Sequence, residues 1–154
     1  MGFWFFLNLF KRTKLPVTIG DEMASKACNF IAAFTGSNSS YDASQLDYSQ
    51  PSLRLVDQIL HEFFLKKSPL PDDLHFLVSA YIFETARRQF GGDYMRFNHD
   101  NPFALVIGDP DFHVIILVME KVKKRTLNGP EDNIPFFYEG IKPLVEEKVN
   151  AILI

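Results

Sequence analysis

Met23, Ala27, Phe30, Ile31 and Phe34 recur at three- and four-residue intervals across residues 21–34, behind Asp21 and Glu22. That spacing predicts an amphipathic helix whose acidic first turn complements the helix dipole. The next stretch, TGSNSSYDASQLDYSQ, has no period and is rich in turn formers, so it predicts a loop. Ser49 and Pro51 then make a helix start, and Leu53, Val56, Ile59, Leu60, Phe63 and Phe64 form one apolar face over about 51–66. After KKSPLPDD a third helix is expected from Asp72 to Phe90, closed by Gly91-Gly92. On a helical wheel Leu74, Leu77, Val78, Tyr81 and Ile82 fall in one apolar sector, and Phe76, Phe83, Ala86 and Phe90 in another. A helix apolar on two sides is sandwiched between other elements.

Beyond Gly92 the period shortens. DYMRF, FALVIG and HVIILV are aromatic or β-branched runs separated by NHDNP and DPDF, which predicts a three-stranded antiparallel meander. MEKVKKRTL returns to helical composition and stops at Asn128-Gly129. Asp132 or Asn133 is expected to cap a last helix, kinked or restarted at Pro143, with Val145, Val149 and Ile152 as its inward stripe. Helices, then strands, then helices argue for an α+β fold with N-terminal helices, a small antiparallel β-meander and C-terminal helices. The expected organisation is an apolar N-terminal segment and linker over 1–20, followed by a single α+β domain over 21–154.

Composition narrows the function. At 154 residues, 47% hydrophobic and 23% charged, the chain has the make-up of one globular domain. Sixteen Lys and Arg against nineteen Asp and Glu, net −3, give no field that would gather nucleic acid. The single cysteine excludes an intrachain disulfide and fits a reducing cytoplasm. MGFWFFLNLF is too short to span a bilayer, and KRTK follows it where a secretory signal carries its charge first. Phe6 stands where a myristoylation signal needs Ser or Thr. The segment is expected to dock on its own domain; the alternatives are peripheral contact with the inner membrane face through Phe3, Trp4, Phe5 and Phe6, and a disordered or partner-bound tail.

The charged residues inside the third helix are the main candidates for chemistry. Stepping 100° per residue, Glu84 and Arg88 share an edge of the first apolar sector beside Tyr81, and Arg87 points elsewhere. An ion pair closing the rim of the core is expected from that placement. A pocket around Tyr81, Glu84, Arg88 and Tyr94, suited to an anionic, partly aromatic ligand, is the alternative.

SAYIFETARRQFGGDY also resembles the central motif of a widespread group of small bacterial domains of unknown function, in which a helix reads G-x-Y-(I/V/L)-G-E before basic residues, a glycine pair and an aromatic strand opening. Tyr81, Ile82, Glu84, Arg87, Arg88, Gly91, Gly92 and Tyr94 fall on that pattern, and Ser79 and Phe83 replace its two helix glycines. LDYSQPSLRLVDQIL, with Asp57, and VKKRTLNGPEDNIPFFYEG are similar to the flanking segments, so the resemblance covers about residues 46–140. It implies the fold and a bacterial cytoplasmic setting, and assigns no activity.

Elsewhere the chemistry is sparse. His61, His75, His99 and His113 lack metal-ligand spacing, and Asp109 and Asp111 flank Pro110 as a tight turn demands. Cys28, beside Phe30 and Ile31, is expected to be an inert buried thiol, and KVKKRT a solvated helix face. No phosphate loop, nucleophile elbow or paired-carboxylate signature is present. No cofactor or metal is expected. The sequence therefore points to a non-enzymatic accessory or protein-interaction domain, of a kind that includes immunity-type proteins, with another protein as partner. A small-molecule-binding protein or enzyme using the Tyr81, Glu84, Arg88 and Tyr94 pocket is the alternative.

Overall fold

A computed structural model describes residues 17–36 and 39–154. Helix α1 is Ile19–Ala33. It begins at Thr18, whose Oγ1 accepts from the Asp21 amide at 3.0 Å while the Asp21 carboxylate accepts from the Thr18 amide at 3.3 Å. This reciprocal capping box starts the helix ahead of its apolar period. The loop after it holds two 3₁₀ turns, Ala43–Gln45 and Gln50–Ser52, the second capped by Ser49. α2 is Leu53–Leu65 and α3 is Asp72–Phe90. Every residue of α3 from Val78 to Ala86 is buried, because α1 packs on it from one side and the sheet from another.

Four strands form one sheet in the order β1-β2-β3-β4: Asp93–Arg96, Phe103–Ile107, Val114–Ile116 and Ala151–Leu153. The first three make the expected antiparallel meander. Gly92 opens it at φ 112°, where a Cβ would lie 2.6 Å from the Val106 carbonyl oxygen. Only glycine allows the end of α3 to turn this closely onto β2. Tyr94, Phe103, Leu105, Ile107, Val114, Ile116 and Leu153 face the helices and join the core.

The chain end corrects one expectation. Between β3 and β4 run α4 (Met119–Asn128), α5 (Ile134–Glu139) and α6 (Ile141–Glu146). Asn133 caps α5, accepting from the Phe136 amide at 2.8 Å. The break falls at Gly140 rather than at Pro143, which sits in the first turn of α6, where an amide has no helical partner. Residues 151–153 leave the helix altogether and pair parallel to β3, with Ile152 opposite Ile115. No inward stripe of Val145, Val149 and Ile152 forms. Lys148, at φ 53°, turns the chain, and the Asn150 side chain accepts from the His113 amide at 2.8 Å, fixing the register of the new strand. Among the described residues no helix is long and apolar enough to cross a membrane. The apolar segment with Phe3, Trp4, Phe5 and Phe6 lies outside the described residues.

Candidate functional site

Glu84 sits in the buried half of α3, and both its oxygens are engaged. Arg87 Nε donates to Oε2 at 2.7 Å and Arg87 Nη2 to Oε1 at 3.1 Å, while the Tyr94 hydroxyl donates to Oε2 at 2.7 Å. The expected partner, Arg88, is not the one used. Residues three and four apart both reach Glu84 from along a helix, and tertiary contacts decide between them. Arg88 is drawn off by Tyr48, whose ring centroid lies 3.5 Å from its guanidinium carbon. Tyr48 in turn stacks on Tyr81, with centroids 5.0 Å apart.

The electrostatics follow from these contacts. Burial pushes the Glu84 carboxyl up, but the hydrogen bonds from Arg87 and Tyr94 and the charges of Arg87 and Arg88 outweigh it, so it lies below its ordinary value. Burial, then the bond to Glu84, pushes the Tyr94 hydroxyl well up. The bond to Glu84 raises Arg87 further. At neutral pH the group is therefore a carboxylate, a guanidinium and a neutral phenol, with no net charge.

Tyr81 belongs to a different contact set. Its hydroxyl accepts from the Tyr48 amide at 2.9 Å and donates to Ser52 Oγ at 2.7 Å, since that serine's proton goes to the Ser49 carbonyl at 2.6 Å. Tyr81 thus ties the 42–52 loop to α3. Of the four residues expected to share a pocket, Glu84 and Tyr94 line a cleft of about 520 Å³ with Arg87, Thr18, Asp21 and Asp93. Tyr81 and Arg88 lie against Tyr48 and do not line it.

An ion pair not expected from the sequence joins α2 to α4. Arg125 Nε and Nη2 donate to the two Asp57 oxygens at 2.8 and 3.0 Å, and Asp57 Oδ1 also accepts from the Ile134 amide at 2.9 Å. One carboxylate therefore joins α2, α4 and the start of α5. KVKKRT is accordingly not a solvated face: Val122, Arg125 and Thr126 are buried, and Lys121 reaches Asp132 at 2.9 Å. The period was the missed signal, because Met119, Val122, Arg125 and Thr126 share one face of α4.

Cys28 is exposed, not buried, with Sγ 3.7 Å from the Tyr48 hydroxyl. Its side of α1 faces the loop rather than α3. Among the described residues no three His, Cys, Asp or Glu side chains form a group that could hold a metal. Asp111 closes the expected turn through its amide to the Gly108 carbonyl at 3.0 Å.

Two of the remaining clefts lie against the C-terminal helices. One of about 670 Å³ lies between the start of α3 and α4, lined by Leu70, His75, Phe76, Met119, Lys124 and Leu127 among others. The other, about 360 Å³, lies between α5 and β4 and is lined by Phe136, Phe137, Leu153 and Ile154, with Glu131 and Glu139 beside them. Phe136 and Ile154 are exposed there. No family model matches the chain, and no curated protein or solved structure matches it either.

Proposed function

We propose that the chain is a non-enzymatic accessory or protein-interaction domain of a bacterial cytoplasm, of the kind that includes immunity-type proteins, that engages its partner at the cleft between α5 and β4. One observation carries this reading: Phe136 and Ile154 stand in water around an apolar-lined cleft. Exposed large apolar side chains grouped at a concavity are the usual mark of a protein contact. The internal charges support it from the other side, because Glu84 and Asp57 are both engaged in pairing the fold's own elements. Glu131 and Glu139 give the cleft an acidic margin, so the partner would offer an apolar side chain flanked by Lys or Arg. The resemblance of SAYIFETARRQFGGDY to small bacterial domains supports the setting.

The test is affinity capture from the native cell with the wild-type chain and with Phe136→Asp. The reading expects one reproducible partner that the variant loses while its far-ultraviolet circular dichroism stays unchanged. Recovery of the same proteins by both chains, or a defined turnover activity, overturns it. A second reading rests on the 520 Å³ cleft beside Arg87, whose guanidinium keeps N–H groups beyond the two given to Glu84 and could hold a carboxylate ligand. A metabolite thermal-shift screen in which no anion stabilises the wild type, or in which hits also stabilise Arg87→Ala, removes this alternative.

A further inference from the structure

The four-stranded sheet has two apolar faces, and the described helices account for one. Side chains alternate along each strand, so Met95, Ala104, Val106, Ile115 and Ile152 point away from the core-facing set. None of these five belongs to the core cluster. Continued one residue past β3, the alternation adds Leu117, whose amide bonds the Leu153 carbonyl at 3.0 Å. β2 reads Phe-Ala-Leu-Val-Ile and β3 Val-Ile-Ile, with no polar residue at any position. An antiparallel sheet with one face in water alternates apolar with polar; an unbroken apolar run belongs to strands covered on both faces. Exposure has the corresponding form: Ala104 and Leu117 at the centre are 0% and 3% exposed, and Met95 and Ile152 at the two edges 43% and 56%.

We infer that this outer face is the docking site of the chain's own N-terminal segment, Phe3 to Phe10. The path is short. Thr18, where the described chain begins its first helix, lines the same cleft as Asp93 and Tyr94 of β1, so the described chain starts beside the β1 edge of the sheet. Residues 11–16 reach about 20 Å when extended, enough to round one strand edge. Four strands are about 14 Å across between the outer strand axes, and the eight residues 3–10 cover about 12 Å as a helix or about 26 Å extended. The composition matches as well. Phe3, Trp4, Phe5, Phe6, Leu7, Leu9 and Phe10 would meet an aliphatic surface, and Asn8 is the one polar side chain in the run. Lys11, Arg12 and Lys14 would then fall near the β1 edge, where Asp93 is exposed on the same side as Met95. The inference does not rest on the α5 and β4 cleft, which β4 borders through Leu153, with Ile154 just past it.

Trp4 is the only tryptophan, so its emission reports this segment alone in the full-length chain. The inference expects a blue-shifted emission in a chain that sediments as a monomer, unchanged by dilution and by vesicles of phosphatidylglycerol and phosphatidylcholine. Met95→Glu with Ile152→Glu should shift the emission to the red and raise acrylamide quenching several-fold, with circular dichroism retained. Ile152→Glu alone, at a position already half in water, should move both in the same direction, and Phe136→Glu on the other cleft should move neither. A water-exposed emission in the wild type overturns the inference. So does a blue shift lost on dilution, which would make the occupant a second copy, or one that appears only with vesicles, which would make it a membrane. An emission indifferent to charges placed on the outer face overturns it too.

Discussion

Asp57→Ala should be among the most damaging single changes outside the apolar core. The side chain of Arg125 is 2% exposed and that of Asp57 19%, so removing the carboxylate leaves a guanidinium that cannot turn to water. Breaking one side of a buried pair typically costs about 3–5 kcal/mol, and here the Ile134 amide loses its acceptor as well. For a chain of this size each kcal/mol lowers the midpoint by roughly 2–4 °C, so a fall on the order of 10 °C is expected. Asp57→Asn keeps an acceptor for one donor and removes the charge, and should fall between wild type and Asp57→Ala. Asp57→Leu combined with Arg125→Met should recover much of the loss, since an apolar pair of similar volume leaves no charge uncompensated. The assay is urea unfolding at pH 7 with the slope checked for constancy across variants. A cost below about 1 kcal/mol for Asp57→Ala, the value of an exposed pair, would refute the buried-pair reasoning. A double variant that loses as much as the two single changes summed would refute it equally.

Three further outcomes follow from named contacts. Arg87→Ala should destabilise more than Glu84→Ala at pH 7, because it strands a carboxylate whose side chain is 1% exposed, whereas Glu84→Ala leaves Arg87, 39% exposed, able to turn to solvent; urea midpoints in the reverse order would count against this. Because the folded Glu84 carboxyl lies below its ordinary value, its contribution is fully present above the unfolded value of about 4.3 and is lost as pH falls through the folded one. Wild type should therefore lose stability more steeply than Glu84→Gln on that acid side, and identical slopes would contradict the assignment. Cys28 should react with a thiol reagent in the native chain at a rate close to that of a free thiol, and reaction only after denaturation would show it covered. Gly129→Ala should cost more than the roughly 1–2 kcal/mol of a left-handed backbone alone, since at φ 84° its Cβ would come within 2.6 Å of the Phe64 ring; a neutral change in denaturation would refute that close approach.

The elements that could be read from the sequence are those whose cause is local. α3 was legible because two apolar sectors lie within its own nineteen residues and a glycine pair follows them at once, and the meander because three short runs are parted by turn formers. β4 was not, since Ala-Ile-Leu becomes a strand only by pairing with β3, more than thirty residues upstream in sequence. The candidate site divides the same way. A wheel places Glu84 at the edge of the core correctly, but the choice between Arg87 and Arg88 is made by Tyr48 and Tyr94, which belong to other elements. Arg125 was hidden by its neighbours: in a run of basic residues the eye counts charge, while burial follows the three- and four-residue step from Met119 and Val122. The outer sheet face reverses the lesson. Its unbroken apolar strands signal a second cover before any helix is seen, and the same chain carries a nearly all-apolar segment at its start. Two local patterns that each look anomalous alone, a sheet with no polar side and a terminus with no polar face, are mutually satisfied if one covers the other.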